Sequence, residues 1–148
     1  MGKSSQTRGR LLLLALLLGV GVLGAMRESR IGGDLAWANS YEAGMALARR
    51  TGRPLLLSFQ APGCAWCRKM DAETFTDSKV VELSRRLVCI RLDSDTDAAL
   101  VEQYQVSEFP MTILAYPQGQ EIARVPGYIP PDRFAAALNT LLQATAKK

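Results

Sequence analysis

Histidine is absent from the 148 residues, and cysteine occurs only three times. A structural zinc site wants four nitrogen or sulfur ligands, so these side chains fall short of one. Covalent haem attachment needs histidine directly after the second cysteine of a Cys-x-x-Cys pair, where this chain has Arg68. Three cysteines are also too few for a small scaffold held together by disulfides; one close pair plus a distant third fits an exported redox protein better. A surplus of positive charge is missing as well, although the formal net charge is +4. Of 18 basic and 14 acidic residues, five basic ones (Lys3, Arg8, Arg10, Arg27, Arg30) and a single acid (Glu28) lie in the first thirty positions, leaving thirteen of each elsewhere. The folded part is neutral and has no basic stripe for nucleic acid. Internal repeats and low-complexity tracts are lacking too, so the length fits one domain with a core plus an extension.

The extension is the run Leu11 to Met26, apolar or glycine throughout and preceded by Lys3, Arg8 and Arg10 with no acid. That is the layout of a secretory signal or of an N-terminal membrane anchor with its basic end in the cytoplasm. The run lacks a polar face, which argues against a buried core helix. Residues 1-26 are therefore expected to be a signal peptide or anchor, with an uncleaved hydrophobic helix slightly favoured, 27-36 a linker containing Gly32-Gly33, 37-143 the folded domain and 144-148 a tail.

Within the domain, Asn39 followed by Glu42 resembles a capping box and predicts a helix to about Arg50, with Ala43, Ala46 and Leu47 on its inner face and Gly52 ending it. Leu55 to Gln60 is nearly continuously apolar and reads as a strand buried on both faces. Cys64-Ala65-Trp66-Cys67 follows it and starts a helix to about Ala72. Asp77 caps a further helix to about Arg86. Leu87 to Leu92 is a second strand, and Cys89 within it is expected to be a small buried hydrophobe. A polar turn, Asp93 to Asp97, leads to a helix from Ala98 to Tyr104. Met111 to Tyr116 is the third strand, joined through Pro117-Gln118-Gly119-Gln120 to an antiparallel fourth, Glu121 to Val125. A helix from Pro131 to Gln143 closes the chain, with Phe134, Leu138, Leu141 and Leu142 facing inward. Strands separated by helices predict parallel pairing, with the terminal hairpin adding an antiparallel edge.

The Cys-x-x-Cys pair carries the chemistry. Cysteines three apart on a helical turn face the same way, close enough to form a disulfide after a small adjustment. A strand that delivers them to a helix start places the first sulfur among unpaired backbone N–H groups and partial positive charge, which stabilise a thiolate. Cys64 is then the nucleophile, and Cys67, one turn deeper, displaces the partner's thiol from the mixed disulfide. Arg68 and Lys69 either add favourable potential or are simply solvated. Trp66 is either a partner contact or a local packing residue. Pro110, directly before a strand, suits a strand start, and a cis bond would account for its place in an inner strand.

This order of elements, with Cys64 to Cys67, Arg68-Lys69-Met70, Thr74-Phe75-Thr76-Asp77, Val106-Ser107-Glu108-Phe109-Pro110, Gly119 and Val125-Pro126-Gly127-Tyr128, resembles the thioredoxin-like superfamily over about residues 37 to 143. Within it the chain resembles the exported branch that includes the C-terminal domain of the transmembrane thiol:disulfide interchange protein. The resemblance implies an α/β thioredoxin-like fold, a central mixed sheet of about four strands flanked by helices. It also implies Phe109-Pro110 as a cis-proline loop facing the cysteines, whose backbone pairs with an extended substrate segment. Thioredoxins carry a buried acid where Ser58 stands, tryptophans at the positions of Gln60 and Gly63, and glycine-proline in place of Ala65-Trp66. A copper-delivering relative would supply a histidine that this chain lacks.

The activity so implied is thiol:disulfide exchange on exported proteins, reducing in direction, without a cofactor or metal. Its partners would be protein disulfides and an upstream thiol electron donor, and the membrane through residues 11-26 if these are retained; a monomer in the bacterial periplasm is expected. The competing reading is an anchored binding module whose cysteine pair is a permanent staple or a vestige.

Overall fold

A computed structural model describes residues 34 to 146; the hydrophobic N-terminal segment expected at 1-26 lies outside them. Among the described residues no helix is long and apolar enough to cross a membrane. The elements are α1 (Tyr41–Thr51), β1 (Leu55–Gln60), α2 (Ala65–Lys69) continued by a π-helical turn (Met70–Thr74), α3 (Ser78–Ser84), β2 (Val88–Asp93), α4 (Ala98–Gln103), β3 (Met111–Ala115), β4 (Glu121–Pro126) and α5 (Pro131–Ala146).

The α1 start differs by one residue from the expected cap. Ser40, not Asn39, has the extended backbone of a cap, and its hydroxyl accepts the Ala43 N–H at 3.1 Å. Serine and asparagine cap equally well, and the pattern does not separate neighbours. The other end is as expected: Gly52 adopts φ 69° and its N–H reaches the Ala48 carbonyl at 2.8 Å. The inner face of α1 also needs correction. Gly44, Met45 and Ala48 are buried there, whereas Ala43 and Ala46 are exposed. A Cβ at Gly44 would lie 2.4 Å from Ile90 Cδ1, so the bare glycine is what lets α1 lie close on β2. Ranking apolar residues by side chain misses that face.

The sheet order is β2-β1-β3-β4. β1 and β2 pair in parallel, Leu56 opposite Cys89, as expected. β3 pairs with β1 antiparallel, Phe59 opposite Met111, which overturns the expectation of parallel pairing for helix-separated strands. The connection from β2 runs through one short helix, α4, and stays at one end of the sheet instead of crossing back along it. The chain re-enters the sheet at the end where β1 and β2 finish. Pro110 therefore lies at the end of the sheet from which β1 delivers the cysteines.

Apolar side chains fill both faces. One cluster contains Leu56, Met70, Phe75, Cys89, Leu114, Phe134 and Leu138; the other contains Leu55, Leu57, Phe59, Ile90, Ile113 and Met45. Their division follows the two-residue alternation along β1. In α5, Phe134, Leu138, Leu141 and Leu142 are buried as expected. The first cluster also takes in Leu35, and Ala38 N–H donates to the Cys89 carbonyl at 2.8 Å, so the chain before α1 runs along the β2 edge.

Candidate functional site

Strand β1 ends at Gln60, and the turn through Gly63, which takes φ 74°, aims the chain into α2. A side chain would be strained in that left-handed conformation. Cys64 is the cap of α2; its Sγ accepts the Cys67 N–H at 3.1 Å, and its sulfur is bonded to that of Cys67 with the Cα atoms 5.3 Å apart. The two cysteines differ in access: Cys64 is half-buried, whereas Cys67 is 3% exposed. That N–H is a donor of the kind that stabilises a thiolate.

The Phe109–Pro110 peptide bond is cis. Pro110 is buried, and its carbonyl accepts the Gly127 N–H at 2.8 Å. Gly127 has φ 77°, and the next turn is tied down where the Thr74 hydroxyl donates to the Ile129 carbonyl at 2.6 Å. These contacts bring together Trp66, Phe109, Pro110, Gly127 and Tyr128 around an apolar groove of about 340 Å³.

Trp66 is 57% exposed and also packs, its ring 5.8 Å from that of Tyr128, so both readings of this residue describe part of its surroundings. Lys69 is not free in solvent: its ammonium stands 5.3 Å from the Trp66 ring centre and 4.8 Å from that of Tyr128. The Tyr128 phenol donates to a Glu73 carboxylate oxygen at 2.6 Å, and this bond to an anion pushes its ionisation up. Tyr128 appeared in the sequence only as the neighbour of Gly127; nothing local marks it as a wall of the groove.

A second feature has no local sign in the sequence. Asp71 Oδ1 accepts from Gln60 Nε2 at 2.9 Å and from Arg91 Nη2 at 2.8 Å, tying the π turn to the end of β1 and to the inside of β2. The Arg91 guanidinium also covers the Trp37 ring at 4.3 Å. Cys89 is buried as expected, and burial pushes its thiol up to about 12. Among the described residues no cluster of histidine, cysteine or carboxylate side chains could hold a metal ion.

A family model described as a thioredoxin-like domain matches residues 41–142. The thiol:disulfide interchange protein DsbD of Salmonella typhi is 32% identical over 104 residues, covering 66% of this chain and 18% of that protein. The protein of the same name from Ralstonia nicotianae is 32% identical over 106 residues, covering 68% and 17%. The chain thus spans less than a fifth of the length of these curated relatives. A solved DsbH oxidoreductase superposes with a TM-score of 0.65 at 20% identity, covering 80% of this chain and 92% of that one. A thioredoxin from Thermus thermophilus gives 0.65 at 24% identity, covering 74% and 88%. These last two likenesses establish the fold.

Proposed function

Because the chain belongs to the thioredoxin-like domain family, whose model matches residues 41–142, we propose that it is a thiol:disulfide oxidoreductase that reduces disulfides of exported proteins. The observation that carries this reading is the disulfide at the start of α2, with a half-buried Cys64 and a buried Cys67. In the reduced protein the Cys64 thiolate attacks a partner disulfide. One partner sulfur leaves with the bonding electron pair and takes a proton, and the other stays bonded to Cys64. Cys67 then attacks Cys64 Sγ, the second partner sulfur departs, and the enzyme is left oxidised by two electrons.

Pro110 has no N–H, and its carbonyl is occupied by Gly127. The main chain of Phe109 is thus the part of the bend that pairs with an extended partner segment. Trp66 and Phe109 supply apolar contact beside it. Restoring the dithiol requires an upstream thiol donor. The apolar run 11-26 behind a basic end supports an extracytoplasmic, periplasmic location, with that run as signal or tether.

Cys67→Ser is expected to accumulate partners covalently bound to Cys64, and Cys64→Ser to trap nothing and lose insulin reduction. Equal trapping by both variants, or insulin reduction that survives Cys64→Ser, defeats the reading.

A further inference from the structure

Lys69 is exposed, yet its ammonium rests over two aromatic faces, 5.3 Å from the Trp66 ring centre and 4.8 Å from that of Tyr128. Those rings are two of the walls of the apolar groove beside Pro110. The cation is therefore held at the groove's edge rather than sweeping through solvent. Among the described residues it makes no ion pair within 4.0 Å. The two acids that follow it in the chain are already engaged, Asp71 by Gln60 and Arg91 and Glu73 by the Tyr128 phenol.

Bonds on both sides fix where this charge stands. Gly127 N–H donates to the Pro110 carbonyl at 2.8 Å, and the Thr74 hydroxyl donates to the Ile129 carbonyl at 2.6 Å. The neighbours of Tyr128 are thus tied to the proline bend and to the π turn, while Trp66 lies between the two cysteines. A partner segment that pairs with the main chain of Phe109 and presents its sulfur to Cys64 passes the ammonium. Its lysines and arginines meet like charge on ring faces that would otherwise attract them, and a carboxylate meets an unpaired counter-charge.

We propose that Lys69 is a specificity-determining residue that selects partner segments carrying a carboxylate about two residues from the reacting cysteine; this rests on the exchange reading above. The spacing comes from the helix. Between Cys64 and Lys69 the chain advances about 7.5 Å along the axis, a length that an extended partner covers in about two residues. Glu108, exposed next to Phe109, repels an acid on the other side, so the preference falls on one side of the partner's cysteine only.

The test mixes the full reduced chain with synthetic peptide disulfides that carry Glu, Gln or Lys two residues before or two residues after their cysteine, and measures the released peptide thiol by quenched-flow chromatography. Each rate is divided by that of the same peptide with dithiothreitol, an uncharged dithiol. Ratios between peptides of one series are then compared, so that any change in the reactivity of Cys64 divides out. In the wild type one series is expected to order Glu above Gln above Lys, with Glu about threefold faster than Gln, as for an exposed ion pair. Salt shrinks the gap. Lys69→Gln levels the order, Lys69→Arg keeps it, Lys69→Glu inverts it, and Arg68→Gln leaves it standing. Wild-type ratios near unity in both series overturn the proposal, as do ratios that survive Lys69→Gln or fall equally in Arg68→Gln. A wild-type chain that reduces none of the peptides instead sinks the exchange reading itself.

Discussion

Replacing Asp71 tests whether the cysteine helix is fastened to the sheet by the bonds that Gln60 and Arg91 make to one carboxylate oxygen. A hydrogen bond to a charged group contributes about 1.5–3 kcal/mol when well shielded. Arg91 and Asp71 are each 34% exposed, so solvent screening reduces their bond toward about 1 kcal/mol. The Gln60 bond adds about 1 kcal/mol. Asp71→Ala should therefore cost about 2 kcal/mol, and Asp71→Asn, which keeps an acceptor oxygen but no charge, about 1 kcal/mol. For a domain of this size the alanine variant should melt about 8 °C lower, as read by circular dichroism on the oxidised protein. In an Arg91→Ala background the cost of Asp71→Ala should fall by about 1 kcal/mol, because the ion pair is already gone. An unchanged melting temperature in Asp71→Ala, or a full cost that persists without Arg91, would refute the fastening.

Two further outcomes are expected. Stability should decline above about pH 9, because the Cys89 thiol ionises near its ordinary value of 9.0 when unfolded but only near about 12 when folded. The folded state then holds the extra proton, so stability is intact below pH 9 and falls through that window. Urea titrations from pH 8 to 10.5 should show a shallower fall in Cys89→Ala; an equal slope in both proteins would assign the alkaline loss elsewhere. Trp66→Ala and Tyr128→Ala should each weaken a peptide partner by about 1 kcal/mol, or about fivefold in KM, while leaving the reaction with a small disulfide untouched. Equal losses on both substrates would remove these rings from partner recognition.

The strands and the bonded cysteine pair were legible because their signals are local. Leu55 to Gln60 is an uninterrupted apolar run, and Cys64 and Cys67 are one turn apart. What stayed hidden depends on register and on direction. The opposition of Ser58 and Thr112, and the reach of Asp71 to Arg91, follow from strand pairing across long stretches of chain. The reversal of β3 depends on the end of the sheet at which the connection through α4 returns, which periodicity does not express. Gly44 shows the converse: a residue with no side chain lies on the face of α1 that meets Ile90 of β2.

The groove has walls from three distant stretches of chain, Trp66, Phe109-Pro110 and Gly127-Tyr128. Chains emerge from the ribosome N-terminal end first, so both sulfurs appear before the last wall has been translated. A nascent copy thus carries both cysteines before the groove beside them is complete. The closing helix that completes this end of the chain also fills one face of the core, with Phe134, Leu138, Leu141 and Leu142.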